Sequence, residues 1–292
     1  MREAIVKELV GAVKEIAGNE YSVTMKETTK NNDVKRLGIE IEKPGETVIP
    51  RLYVDDIVDG LEYGFMTVEE AAKKVFKMYQ NIDWLTIEMD VEKWSDRKFI
   101  LDHVEYQLVN AERNAGKLKD TPGRKIVDLI AIYRVVDGMY SYVLTNDILD
   151  GYEISLEELD EAAKKNAEKS GFSVRTINEV MYELIGVNVG PEIEEPDEPQ
   201  TYVLTNAKKL YGANIMLYKE YLEIVAERMN GDFYILPSSI HELLAVPVLN
   251  TGLEQLREMV KEVNDNVVAP EEILGYEVYR YNRETGEVEV AV

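Results

Sequence analysis

Cysteine is absent from all 292 residues, which removes disulfides, thiolate zinc sites, iron–sulfur clusters and a cysteine nucleophile in one step. Histidine is scarce as well. With only His103 and His241, a three-histidine metal site cannot be built, although a histidine joined by carboxylates can. No apolar run approaches the about 18 residues that a membrane helix needs, and the opening MREAIVKELVGAVKEIAG lacks the long apolar centre of a signal peptide. A cytoplasmic protein with no membrane partner is therefore expected. Bases are in deficit: 33 Lys and Arg face 56 Asp and Glu, a formal net charge of −23 that repels nucleic-acid phosphates, so no nucleic-acid partner is expected either. The phosphate loop GxxxxGK[ST] and the GxGxxG, HExxH and GxSxG patterns are all missing, and no cofactor or metal is expected.

What is present is a folded chain. Apolar residues make up 45% of it, and its length suits about two domains at roughly 100–200 residues each, or three small ones. Ile5, Leu9, Val13 and Ile16 recur at helical spacing, which predicts an amphipathic helix over the first 18 residues. Tyr21, Val23 and Met25 alternate with polar residues, as do Leu37, Ile39 and Ile41 after Asn31, Asn32 and Asp33. That pattern predicts a β-hairpin. A third strand is expected at Val48 to Val54, then a short helix near Asp55 to Gly60 and a longer one started by Thr67.

Residues 54–79 align without a gap onto 145–170 at a constant offset of 91. Asp56, Ile57, Asp59 and Gly60 match Asp147, Ile148, Asp150 and Gly151; Glu70 to Lys74 match Glu161 to Lys165. Upstream, Ile39 and Ile41 fall on Ile130 and Ile132. The reading is an α+β fold of repeated strand-strand-strand-helix-helix modules on mainly antiparallel sheets. Its expected divisions are an N-terminal module (1–92), a related module (93–189), a linker (190–200) and a C-terminal α+β module (201–292). The linker GPEIEEPDEPQ holds three prolines and five carboxylates without apolar periodicity. Across 147–198 there are fifteen acids and four bases, a concentration that would steer a basic protein partner or else only solvate this face.

Two places invite a chemical reading. Pro237-Ser238-Ser239-Ile240-His241-Glu242 lies between two apolar strands, and Ser238 or Ser239, His241 and Glu242 are candidates for a nucleophile, its base and an orienting carboxylate. The competing reading is structural: the serines bond the turn's backbone and His241 satisfies a neighbouring strand. Asp128 interrupts the apolar run Ile126 to Ile132, so it is either an acid or base of raised pKa or a structural partner of Arg134, Arg124 or backbone amides. Asn110, Asn114, Thr145-Asn146 and Thr205-Asn206 read as caps and turns, and the 18 tyrosines as packing.

The stretches VEYQLVNAERNAGKL, IVDLIAIYRV, YVLTN followed by GANIMLY, FYILPSSIHELLAVP and EEILGYEVYRYNRETGE resemble an uncharacterised bacterial family found in gut Gram-positive anaerobes. The resemblance runs over nearly the whole chain. Lys30, Asn31, Asn32, Pro50 and Pro237 to Glu242 match its recurring features, whereas Pro122-Gly123 stands where the family often has Pro-His. It implies a bacterial, cytoplasmic protein and carries over no activity, cofactor or catalytic residue. Two functions therefore follow from the sequence: a non-enzymatic protein-binding module with an acidic surface, or a hydrolase-type enzyme centred on residues 237–242.

Overall fold

The first helix, α1 (Arg2–Ala17), places Val6, Leu9, Val13 and Ala17 on one side, and all four are buried, as a stripe of period 3.6 requires. The computed structural model describes residues 2–45, 49–82, 91–138, 140–186, 200–248 and 252–292. These fall into two units: Met1–Lys30 with Val34–Glu92, and Asn31–Asp33 with Lys93–Val292.

In the first unit, β1 (Ser22–Thr29) and β2 (Lys35–Glu42) pair antiparallel with Val23 opposite Ile41, and β3 (Arg51–Tyr53) joins the other edge of β2 with Leu52 opposite Ile39. Two helices follow, α2 (Asp55–Glu62) and α3 (Val68–Gln80). The second starts where Thr67 and Glu70 cap each other reciprocally. Val6, Leu9 and Val13 meet Ile39, Ile41, Ile57, Val58, Ala72 and Val75 in one core. Gly11 sits in the exposed interior of α1 with no atom within 4 Å of where a Cβ would stand. Gly11→Ala is therefore expected to raise stability by about 0.5–1 kcal/mol, because alanine removes glycine's backbone-entropy cost at no steric expense. A urea midpoint equal to or below that of the wild type would contradict this.

The second unit begins within α4 (Val91–Trp94) and continues with α5 (Arg97–His103), β4 (Val104–Asn110), β5 (Gly123–Ile126), β6 (Leu129–Asp137), β7 (Tyr140–Val143), α6 (Asn146–Gly151) and α7 (Leu156–Ser170). Next come β8 (Phe172–Thr176), α8 (Ile177–Leu184), β9 (Tyr202–Asn206), a 3-10 helix (Gly212–Leu217), α9 (Lys219–Met229), β10 (Phe233–Leu236) and β11 (Leu243–Pro247). It closes with α10 (Leu253–Asn266), β12 (Tyr279–Asn282) and β13 (Glu287–Val290). A four-stranded sheet has β6 at its centre. β4 runs along one edge of β6, while β5 and β7 share the other, taking its first and second halves. A six-stranded sheet has the order β13-β12-β10-β11-β9-β8, every neighbour antiparallel.

The α+β class with antiparallel sheets is thus what the chain adopts. The order strand, strand, helix, helix occurs as β2-β3-α2-α3 and again as β6-β7-α6-α7. Strand pairing does not follow the offset of 91: Ile39 faces Leu52, whereas Ile130 faces Lys125 of β5 and Val143 faces Arg134. The segments expected as separate modules, 93–189 and 201–292, share a sheet, since Phe172 to Thr176 pair with Asn206 to Tyr202. They share a core too, in which Tyr106, Leu108 and Tyr133 pack with Leu204, Phe233, Ile235 and Tyr279. A five-residue strand such as β8 cannot bury itself, and its partner lies beyond the acidic segment. Residues 190–199 of the expected linker lie outside the described residues.

Candidate functional site

Segment 237–242 is a turn that links β10 to β11. Pro237 has no N–H and cannot extend the ladder, so the chain leaves β10 after Leu236. Ser238 N–H then donates to Leu236 O at 3.0 Å and Ser239 N–H to Glu242 O at 3.1 Å. The side chains complete the turn: Ser239 Oγ accepts from His241 N–H at 3.0 Å, and the Ser238 hydroxyl donates to Glu242 Oε1 at 3.4 Å. Ile240 N–H donates to Glu272 O at 2.8 Å, and Thr205 Oγ1 at the end of β9 donates to His241 O at 2.8 Å. Both serine hydroxyls are therefore engaged inside the turn or with its backbone.

The His241 ring points elsewhere. Its Nδ1 accepts the Tyr211 N–H at 3.1 Å, which leaves the proton of the neutral ring on Nε2, and Nε2 stands 3.7 Å from Glu272 Oε1. Tyr211 also stacks on the imidazole, centroids 5.5 Å apart at 27°. A general base must reach its nucleophile at about 2.6–3.2 Å, and the hydrogen bonds of this turn join neither serine hydroxyl to an imidazole nitrogen. The structure thus brings Ser238, Ser239, His241 and Glu242 into one turn without arranging them as nucleophile and base. His103, the other histidine, stacks on Phe99 and bonds Phe99 O at 2.9 Å within its own helix.

Asp128 corrects a sequence expectation. It is not on a strand: Ile126 pairs with Leu129, so Val127 and Asp128 form the two-residue turn between β5 and β6, with Val127 at φ 55°. Its carboxylate accepts from the Tyr279 hydroxyl at 2.7 Å and from Asn110 Nδ2 at 3.4 Å, and its partners are neither Arg134 nor Arg124. Burial first, then the adjacent Asp128 charge, pushes the Tyr279 hydroxyl far above the usual tyrosine range. The asparagines also have partners. Buried Asn114 accepts from Asn32 N–H at 2.9 Å and donates to Asn110 O at 3.0 Å, and Asn32 Nδ2 donates to Ile273 O at 2.7 Å.

One cluster had no counterpart in the sequence reading. On the face of β4 and β6 opposite Tyr106, Leu108 and Tyr133, Arg134 donates through Nε to Gln107 Oε1 at 2.8 Å and through Nη1 to Ser141 Oγ at 2.8 Å. Its guanidinium lies 4.7 Å from the centre of the Tyr211 ring. Glu105 is directly across the ladder from Arg134, yet its buried carboxylate pairs with Lys208. Among the described residues Arg134 has no carboxylate partner. Burial pulls its pKa below the usual arginine value. The available signal was one base set in the apolar run Leu129 to Val136, but its meaning depends on which acids surround it in space.

Among the described residues no group of three or more His, Asp or Glu is placed to hold a metal ion, and no helix is long and apolar enough to cross a membrane. The first unit carries an open cleft of about 450 Å³ bordered by Lys14, Glu20, Tyr21 and Glu42, none of which is a candidate site residue. The family described as "Family of unknown function (DUF5688)" matches residues 2–283. No curated protein and no solved structure matches the chain.

Proposed function

We propose that this chain, which belongs to the DUF5688 family, is a non-enzymatic cytoplasmic binding protein that receives a basic protein partner on the carboxylates of α6, α7 and the turn between them. The observation that carries the reading is a run of unspent charge. Asp147, Asp150, Glu153, Glu157, Glu161 and Glu168 are exposed and form no ion pair among the described residues. Their neighbours differ: Glu158 is held by Arg97 at 2.6 Å, and Asp160 by Lys164 at 2.7 Å. Closely spaced carboxylates with no internal counter-ion raise the local concentration of a cationic partner and speed its encounter, an effect that salt screens over about 10 Å at 0.1 M. A hydrolase reading of residues 237–242 has no comparable support, because both hydroxyls are engaged in the turn and His241 Nδ1 is engaged by Tyr211.

The test is capture from a bacterial lysate at low and at high salt, with the wild type beside a variant carrying Asp147→Asn, Asp150→Asn, Glu153→Gln, Glu157→Gln and Glu161→Gln. The expected result is a basic protein retained by the wild type at low salt, released at high salt and not retained by the variant. Equal capture by both chains, or no salt-sensitive partner, would overturn the reading.

A further inference from the structure

We propose that Arg134, with Tyr211 stacked on its guanidinium, forms a binding site for a small oxyanion, a phosphate or a carboxylate. The chain carries 56 acids against 33 Lys and Arg, yet this guanidinium is held only by the neutral acceptors Gln107 and Ser141. The nearest acid along the ladder, Glu105, is already neutralised by Lys208. Arginine carries five N–H donors in a flat fork. Two of them are used here, so three have no acceptor among the described residues, both donors on Nη2 included. A half-buried cation without a counter-ion is costly, and a bidentate oxyanion is the partner whose geometry fits the unused edge.

The surroundings are built to keep that edge in place. Tyr211 covers the guanidinium face, which fixes the plane of the fork and leaves its edge for a ligand. Tyr211 itself is held in a left-handed conformation at φ 56°, and Lys209 in the same loop has φ 53°. For residues with a Cβ this is strained backbone, and it persists only where surrounding contacts enforce it. One such contact is the hydrogen bond from Tyr211 N–H to His241 Nδ1, which makes His241 a positioning residue for the ring over Arg134. Solvent reaches the cluster, since the side chain of Lys208 is 42% exposed and that of His241 25%. This proposal does not depend on the acidic face of α6 and α7.

The experiment is calorimetric titration of the full chain with inorganic phosphate and, separately, with acetate. Both are run at ionic strength matched with sodium chloride, because any salt stabilises so acidic a protein by screening. Saturable binding of one anion per chain is expected from the wild type, and the stronger of the two arms identifies the ligand class. Arg134→Gln is expected to abolish binding while the chain stays folded by circular dichroism. Should that variant fail to fold, Arg134→Lys, which keeps the charge and loses the fork, is expected to bind at least tenfold more weakly. Absence of binding to the wild type in both arms, or binding by Arg134→Gln or Arg134→Lys equal to the wild type, would overturn the proposal.

Discussion

Gly212→Ala is expected to destabilise the second unit by about 3 kcal/mol or more, the upper part of the range for overpacking a filled site. A Cβ built on Gly212 would stand 2.5 Å from Asn206 N and 2.6 Å from His241 O, and closer still to Thr205 Oγ1. Backbone atoms cannot rotate aside, and Thr205 Oγ1 is fixed by its own hydrogen bond to His241 O. The methyl group would have to push the end of β9 away from the turn at 237–242, breaking that bond and displacing the neighbouring Tyr211 from His241. Gly275→Ala is the control, because its nearest contact, Tyr279 Oη at 3.5 Å, is an ordinary van der Waals distance. The comparison is read from urea midpoints of the two variants. A Gly212→Ala midpoint no lower than that of Gly275→Ala would show that β9 and the turn are not packed as closely as described.

Much of the fold was legible where the signal is local. The period of α1 follows from burying one face, and the cap at Thr67 marks the start of α3. Pairings between distant segments were not legible. β8 meets β9 across the acidic stretch, and β11 lies between β9 and β10 in the sheet; neither arrangement follows from residue periodicity, because a strand's own sequence does not name its neighbour. Asp128 was misplaced for a related reason. Ile126 to Ile132 reads as one apolar strand, but the chain reverses at Val127, a β-branched residue that rarely adopts positive φ.

The candidate site divides in the same way. The structural reading of residues 237–242 was open to sequence inspection, since Pro and paired Ser are turn formers with hydroxyls that bond nearby backbone. The cluster at Arg134 was not. Its interest lies in what fails to meet it: Glu105 turns to Lys208, and the aromatic cover comes from Tyr211, far along the chain. A missing counter-ion is a three-dimensional property, and composition pointed the other way by showing acids in excess.

Asp160→Ala is expected to cost about 3 kcal/mol, because a buried hydroxyl left without its partner loses about 1–3 kcal/mol and two tyrosines depend on this carboxylate. Asp160 Oδ1 accepts from the Tyr106 hydroxyl and, at 3.0 Å, from the Tyr133 hydroxyl; both residues are only 1% exposed. Tyr106 keeps the Asp160 backbone carbonyl at 3.2 Å, so Tyr133 suffers more. Asp160→Asn retains an acceptor oxygen and should cost less. Burial alone would raise the Asp160 pKa, but hydrogen bonds from Lys164, Tyr106 and Tyr133 outweigh it and hold the carboxyl below its usual value. A depressed carboxylate stabilises the fold above its unfolded value near 4, and that contribution is lost as pH falls through the lower folded value. The wild type should therefore lose stability below about pH 4 by an amount missing from Asp160→Asn. On the alkaline side, burial followed by the hydrogen bond to Asp160 raises Tyr106, and burial followed by the Asp160 charge raises Tyr133. Burial leads for Tyr218 and Tyr279 as well. A neutral tyrosine favoured by the fold stabilises it fully below about pH 10, and that contribution is lost as pH rises toward the elevated folded value. Urea midpoints of wild type and Asp160→Asn between about pH 3 and 11 test both limbs, spanning the unfolded carboxylate and tyrosine values. Parallel acid limbs for the two chains, or a wild-type curve flat above pH 10, would show that these hydroxyls and their shared carboxylate are not coupled to folding as the geometry requires.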